Sequence, residues 1–189
     1  MVEPHELSNK KEAILYSAFQ VFTEKGYHQA KVSEIAERAR VGKGTVYEYF
    51  DSKEALLIGV IKAGTKYYIE QLNESAEQAV DPLGKLRNIL LKNVTILKEN
   101  QNFRQLINHN FGVNSEQFHL LLQEQRQILF QKIQKILQEA INQQQIKPID
   151  LEIGVRLVFG HIIAMDPEMG NLAEEQINSM IDILFKGLQ

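Results

Sequence analysis

Helical periodicity runs through nearly the whole chain and limits the possible folds more than any other feature. Apolar residues recur at intervals of three, four and seven positions, as Ile14, Ala18, Val21 and Phe22 do near the N-terminus. This spacing places them on one face of an α-helix. Only four prolines interrupt the pattern. We therefore expect an all-α protein.

Capping residues and helix breakers divide this pattern into successive helices. Asn9, Asp51 and Asp81 each stand where a helix start is expected, and Gly26 is a stop signal for the first helix. The predicted helices cover about residues 9–25, 32–39, 43–50, 52–79, 82–100, 103–110, 115–145, 150–165 and 171–188.

Composition narrows the class of protein. The chain is 44% hydrophobic and 24% charged, close to the averages for soluble globular proteins. It has no cysteine, which excludes disulfides and thiolate chemistry and fits a reducing compartment. The N-terminus lacks the apolar stretch of a signal peptide, and no segment has the uninterrupted apolar length of a membrane span. We expect a soluble, cytoplasmic protein with no membrane partner.

The two short predicted helices after residue 31 have the spacing of a helix-turn-helix. Ile35, Ala36, Val41 and Val46 would form a shared core, with Ala36 small enough for the helices to cross closely. The second helix would then stand out from the surface, where it can enter a major groove about 12 Å wide. The predicted exposed residues of this helix are Lys43, Gly44, Thr45, Tyr47, Glu48 and Tyr49.

The segments VSEIAERA (32–39) and VGKGTVYEYFDSKEAL (41–56) resemble the DNA-binding domain of the TetR family of repressors. The resemblance covers about residues 10–60, and includes Phe19, Gly26 and Tyr27. It implies an N-terminal three-helix DNA-binding domain over 1–52 and a connecting fourth helix over 52–79. It also implies a larger C-terminal helical domain over 53–189 for effector binding and dimerisation.

The resemblance also assigns contacts with double-stranded DNA. Lys43 can donate to guanine O6 and N7, and Thr45 offers a hydroxyl and a methyl group that suits thymine. The two tyrosines of the recognition helix would donate to phosphates or lie near bases, and Lys53 would contact a phosphate. The predicted DNA-binding set is Lys31, Ser33, Lys43, Gly44, Thr45, Tyr47, Tyr49 and Lys53.

Two positions depart from the family pattern. The residues before the second helix offer no small hydroxyl cap, so Lys31 or Ser33 would contact phosphate instead. Arg40 stands where the turn often has glycine, and either carries strain if the backbone needs a positive φ or adds a phosphate contact.

Net charge does not support DNA binding. The formal net charge is −3, and residues 1–53 carry eight Lys and Arg against eight Asp and Glu. Any DNA contact must therefore rest on a few well-placed groups rather than on a basic field.

The last two predicted helices carry more apolar residues than one core can cover. One recognition helix reads only a few base pairs, so specific binding normally needs two copies about 34 Å apart, set by a dimer. We therefore expect a two-fold four-helix interface, although central helices of a monomeric core are an alternative. The predicted interface residues are Ile153, Leu157, Gly160, Ile163, Ile177, Met180, Ile181 and Leu184.

The middle of the chain, about residues 82–145, is predicted to bind a small hydrophobic effector. The candidate residues are mostly aromatic or aliphatic: Phe103, Ile107, His109, Phe111, Phe118, Leu122, Phe130 and Phe159. The five histidines have no metal-ligand spacing, and no nucleophile has an evident base. We expect no metal, no cofactor and no enzymatic activity.

The leading hypothesis is a repressor that a small hydrophobic ligand releases from a palindromic operator. A constitutive DNA binder or an activator is the nearest alternative. A helical interaction or adaptor protein that keeps the helix-turn-helix only as packing, and more remotely a helical enzyme, also remain open. No residue identifies the effector or the operator sequence.

Overall fold

Nine α-helices account for most of the residues that the structure describes. The computed structural model describes residues 9–109, 116–163 and 174–188, and these ranges contain no strand. The all-α prediction is therefore confirmed, and none of the described helices is long and apolar enough to cross a membrane. The helices are α1 (Lys10–Gln29), α2 (Val32–Arg38), α3 (Lys43–Tyr49), α4 (Lys53–Glu77), α5 (Pro82–Glu99), α6 (Gln101–His109), α7 (Glu116–Asn142), α8 (Leu151–Ile163) and α9 (Glu174–Leu188).

Two of the predicted helix starts are confirmed by their caps. The Asn9 side chain accepts a hydrogen bond from the Glu12 N–H at 2.8 Å and begins α1. At the start of α5, Asp81 accepts from the Gly84 N–H at 2.9 Å, and Pro82 occupies the first turn. Proline costs little there, because the first N–H groups of a helix have no partner within the helix.

Two other boundaries differ from the expectation. The Ser52 hydroxyl accepts from the Ala55 N–H at 3.0 Å, so Ser52 caps α4 and Asp51 does not. Gly26 interrupts the helical backbone of α1 as expected, with φ of 75° and ψ of 158°, but the chain completes one more turn after this kink, so α1 ends at Gln29. A positive φ is readily adopted only by glycine, which explains the residue type at the kink.

The chain divides into two compact units. The N-terminal unit comprises Met1–Lys66 and Asn102–Leu121, and the C-terminal unit comprises Tyr67–Gln101 and Leu122–Gln189. Helix α4 therefore begins in one unit and ends in the other. The functional boundary after residue 52 stays a prediction, because compactness groups residues by contact rather than by role.

Each unit has its own apolar core. The core of the N-terminal unit includes Ile14, Ala18, Phe22, Ile35, Ala36, Val46, Leu56 and Leu57, all buried. The core of the C-terminal unit is drawn from five helices and includes Leu72, Leu86, Leu90, Ile133, Leu137, Val155, Val158 and Ile181. Burial of these side chains stabilises each unit by about 1.5–3 kcal/mol per large residue, before the loss of conformational entropy is subtracted.

One polar group lies inside the core of the C-terminal unit. Asn93 of α5 is fully buried. The Tyr68 hydroxyl donates to Asn93 Oδ1 at 2.7 Å, and Asn93 Nδ2 donates to the Ile162 carbonyl at 3.2 Å. These hydrogen bonds join α4, α5 and the end of α8. Burial raises the pKa of the Tyr68 hydroxyl well above its ordinary value.

Candidate nucleic-acid interface

Helices α2 and α3 pack together through the small core that their spacing predicts. Ile35 is completely buried, Ala36 is 3% exposed and Val46 is 1% exposed. Val41, the fourth expected member, is only half-buried. These buried contacts hold α2 and α3 together, so that the opposite face of α3 is turned towards solvent.

The turn between the two helices contains the predicted left-handed residue. Arg40 has φ of 55°. Its N–H donates to the Glu37 carbonyl at 3.0 Å, and the Val41 N–H donates to the Ala36 carbonyl at 3.0 Å. This pair of bonds is a Schellman motif, which places a left-handed residue immediately after the helix. The first of the two alternatives for Arg40, a positive φ, is confirmed, and its side chain is exposed.

The outer face of α3 carries large polar side chains in solvent. Tyr47 and Tyr49 are each 44% exposed, which distinguishes them from core tyrosines. Lys43 is exposed, and its Nζ lies 5.8 Å from the centre of the Tyr47 ring. Gly44 is exposed as well, and a Cβ added there would meet no atom within 4 Å. Thr45 is partly buried. These residues form one accessible surface, as reading a major groove requires.

Phe50 fixes the far end of α3 from inside. It is 8% exposed and belongs to the core. Its ring lies directly against Gly59 of α4, where an added Cβ would stand 2.8 Å from Phe50 Cε1. The sequence did not predict this contact, because a glycine within a helical pattern does not indicate which side chain packs against it.

The start of α2 lacks a side-chain cap, as expected. Lys31 occupies the N-cap position without a side-chain hydrogen bond, and both Lys31 and Ser33 are exposed. Glu34, in the first turn of α2, partly compensates for the missing cap, because its negative charge lies near the free N–H groups of the helix start. The hydrogen bond from Lys25, 3.0 Å away, and the backbone N–H of Lys31 hold the pKa of the Glu34 carboxyl below its usual range.

Lys53 has partners that its sequence position does not suggest. Its Nζ donates to the carbonyl oxygens of Tyr27 at 2.8 Å, His28 at 3.2 Å and Ala30 at 3.1 Å. It also lies 4.6 Å from the centre of the Tyr27 ring. The ammonium therefore faces the corner between α1 and α2, and its predicted phosphate contact would require these bonds to be replaced.

Two other basic side chains of the N-terminal unit are held by carboxylates. Arg38 of α2 donates both terminal nitrogens to Glu24 of α1, at 2.6 and 2.8 Å. This hydrogen-bonded contact lowers the pKa of the Glu24 carboxyl. Together with the Lys25–Glu34 contact it ties α1 to α2.

The predicted effector residues lie in both units. Phe103 of α6 packs near Phe19 with ring centres 6.2 Å apart, and Phe118 of α7 is fully buried. In the C-terminal unit, the Phe130 and Phe159 rings meet edge to face at 6.2 Å. Of the others, Leu122 is half-buried, Ile107 and His109 lie in α6 with side chains outside the described set, and Phe111 lies outside the described residues.

The predicted dimer residues divide by exposure. Ile153 and Leu157 are 59% and 52% exposed on α8, and Gly160 is exposed beside them. Ile181, however, is 2% exposed and belongs to its own chain's core, so it is unavailable to a partner. Ile183, which the predicted set omitted, is 67% exposed on α9. Met180 and Leu184 are half-buried, and the side chains of Ile163 and Ile177 lie outside the described set.

Comparison with known proteins agrees with this geometry. Residues 14–60 match the family of bacterial regulatory proteins, tetR family. The fatty acid metabolism regulator protein of Bacillus subtilis (strain 168) is 30% identical over 161 residues, covering 79% of this chain and 77% of that protein. The chain belongs to the TetR family.

Solved structures of TetR-type regulators extend over nearly the whole chain. The transcriptional regulator FadR from Bacillus subtilis, in complex with stearoyl-CoA, has a TM-score of 0.75 and 26% identity, covering 93% of this chain and 98% of that one. A TetR/AcrR family regulator from Thermobifida fusca YX-ER1 shares the fold, with a TM-score of 0.73 and 20% identity, covering 95% and 98%. The protein is thus a DNA-binding TetR transcription regulator, and the helix-turn-helix is not a mere packing element.

Proposed function

We propose that this TetR regulator is a homodimeric repressor, which a long-chain acyl thioester of coenzyme A releases from a palindromic operator. The observation that carries the proposal is the likeness, over most of the chain, to regulators whose names refer to fatty acid metabolism, one of them bound to stearoyl-CoA. The likeness includes the helices after α4, where an effector would bind.

The operator contacts of the proposal follow from the outer face of α3. Lys43, Thr45 and the two exposed tyrosines would reach base edges and nearby phosphates. Gly44 would let the helix backbone approach DNA closely, because no side chain stands between them. Lys31 and Ser33, exposed at the start of α2, would contact the flanking phosphates.

The homodimer of the proposal rests on exposed apolar side chains of the last two helices. Ile153, Leu157 and Ile183 are each more than half exposed. Large aliphatic residues in water indicate a binding surface when they cluster, and a two-fold contact would cover them in both copies. A dimer also supplies the second recognition helix that a palindrome needs.

The effector would occupy the apolar interior of the helical region after α4. The edge-to-face pair Phe130 and Phe159, both half-buried, offers a surface suited to an acyl chain. The ligand would act by binding tighter to a conformation in which the two recognition helices no longer match the operator spacing. A tenfold loss of operator affinity needs a coupling free energy of about 1.4 kcal/mol.

Binding-site selection on random DNA, followed by titration with acyl compounds, tests this function. We expect a palindromic site with half-sites about one helical turn apart. Stearoyl-CoA should lower its affinity at least tenfold, whereas coenzyme A and free stearate should have little effect. Loss of the response in Phe159→Ala, with unchanged affinity for the site, would place the ligand. If stearoyl-CoA leaves operator affinity unchanged below its micelle concentration, the effector is a different compound.

A further inference from the structure

The Lys53 ammonium is saturated with hydrogen-bond acceptors. A lysine ammonium has three N–H donors and no acceptor. All three donors are used by carbonyl oxygens at 2.8, 3.1 and 3.2 Å. The Tyr27 ring, 4.6 Å away, adds a cation–π contact to the same group. In this conformation no donor of Lys53 is left for a phosphate oxygen.

The three carbonyls belong to the corner that leads from α1 into α2. Gly26 kinks α1, and the single turn that follows it presents the carbonyls of Tyr27, His28 and Ala30 to one point. Carbonyls at the end of a helix lack intrahelical partners and attract a cation. The Lys53 ammonium therefore supplies the hydrogen-bond donors that the last carbonyls of α1 lack.

The same corner sets the start of α2, which has no side-chain cap of its own. A missing N-cap normally costs a helix about 1 kcal/mol and loosens its first turn. Since Ala30 immediately precedes the N-cap residue Lys31, the bond from Lys53 fixes the backbone at the point where α2 begins.

We propose that Lys53 is a positioning residue for DNA recognition. Its ammonium clamps the α1–α2 corner to the start of α4, which fixes the direction of α2 and, through the shared core with α3, the presentation of the recognition helix. The phosphate contact suggested by the family resemblance is replaced by this internal role.

Two substitutions separate the internal role from a phosphate contact. Lys53→Arg keeps the charge, and a planar guanidinium binds phosphate at least as well as an ammonium does. Three carbonyls converging on a point charge do not match that planar fork. A phosphate role therefore predicts near-normal operator affinity for the arginine variant, whereas the clamp predicts a loss of about tenfold or more. Lys53→Met removes the charge and retains an unbranched side chain.

Salt dependence of operator binding and amide hydrogen exchange in the DNA-free protein give the decisive readouts. For both variants, checked to be folded by circular dichroism, we expect weaker binding with an unchanged slope of log K against log salt. Exchange should accelerate in residues 30–35. Lys43→Met serves as the matched control, because losing a DNA-contacting lysine reduces the slope by about 0.9 without altering exchange at the corner.

Three outcomes would overturn the proposal. The first is a slope for Lys53→Met reduced by about 0.9, as for the control. The second is normal affinity for Lys53→Arg. The third is unchanged exchange at the corner in both variants. If the methionine variant does not fold, the arginine variant alone decides, because its affinity and exchange are opposite under the two roles.

Discussion

Arg40 and Gln144 hold the same left-handed backbone in different parts of the chain, with φ of 55° and 57°. Each follows the end of a helix and donates its N–H backwards, Arg40 to Glu37 and Gln144 to Ile141. Glycine is common at such positions, because a Cβ makes the left-handed region unfavourable by about 1–2 kcal/mol. The helix-end hydrogen bonds keep both residues in this conformation despite the strain.

We expect Arg40→Gly and Gln144→Gly to stabilise the protein to a similar degree, about 1 kcal/mol each, measured by urea unfolding. They should differ in DNA binding. Arg40→Gly should weaken operator binding and reduce the salt slope by about 0.9, because Arg40 is exposed in the turn that leads into the recognition helix. Gln144→Gly should leave binding unchanged. If Arg40→Gly leaves the slope unchanged, Arg40 makes no phosphate contact.

Gly44 should show stability and function moving in opposite directions. A Cβ there meets no atom of the protein within 4 Å, and alanine is the better helix former by about 0.5–1 kcal/mol. Gly44→Ala should therefore raise the melting temperature slightly and lower operator affinity, since the methyl group would separate helix and DNA. Thermal unfolding and operator titration on the same sample check both parts. Unchanged affinity would show that this backbone does not approach DNA.

Residue type alone could not tell Lys53 from Lys43. Both are lysines in or beside the recognition motif, and the sequence predicted DNA contacts for both. The structure gives them different surroundings: Lys43 is exposed, whereas Lys53 donates to carbonyls more than twenty residues earlier in the chain, next to the kink at Gly26. These acceptors are backbone carbonyls, which every residue has, so no residue type in the sequence indicates them.

At the scale of elements, helix spacing and caps were predictable where the signal is local. The caps of α1 and α5 are confirmed, because each Asn or Asp side chain accepts from a backbone N–H only three residues later. The cap of α4 was assigned one residue too early, since Asp51 and Ser52 are both good N-cap residues. The Tyr68–Asn93 pair was not predicted, because its members lie 25 residues apart.

The Tyr68–Asn93 pair should make stability depend on pH in the alkaline range. Burial raises the pKa of Tyr68 above 10.0 in the folded protein, so the unfolded chain loses this proton first as pH rises. The protonated Tyr68 hydroxyl therefore contributes fully to the free energy of unfolding below about pH 10. Above this pH the contribution falls, by about 1.4 kcal/mol between pH 9 and pH 11. The difference in free energy of unfolding between wild type and Tyr68→Phe should become smaller by that amount between pH 9 and pH 11.

The measurement is urea unfolding of both proteins at several pH values. Below about pH 9, the substitution should cost about 1–3 kcal/mol, because Asn93 Oδ1 loses its buried donor. Taking the difference between the two proteins removes the titration of all other groups. A difference that stays constant with pH would contradict burial of the hydroxyl.

At the scale of the whole molecule, we expect dimerisation to depend on the exposed apolar residues of α8. The double variant Ile153→Lys and Leu157→Lys should sediment as a monomer and bind the operator at least a hundredfold more weakly, because one copy reads only one half-site. Ile128→Lys is the matched control: Ile128 is also apolar and 47% exposed, but lies on α7. A double variant that remains dimeric would place the interface elsewhere.

The architecture could be predicted because it follows from periodicity and a specific motif, whereas the effector and interface surfaces could not be fully assigned. Ile181 illustrates the reason. Its spacing in α9 fits an interface stripe, but the side chain is buried in its own core, and Ile183 two positions later is exposed. An apolar stripe wide enough for both roles does not show which residue faces which neighbour.

The ion pairs of Arg38 with Glu24 and Lys25 with Glu34 have a consequence for how this regulator searches a genome. They cancel basic charge next to the recognition helix, in a region whose formal charge is already balanced. We therefore expect fewer condensed counterions to be released on arbitrary DNA, and weak non-specific binding to the chromosome. Fewer molecules are titrated away by competing sites. On this expectation, a modest number of copies per cell would keep the proposed operator occupied.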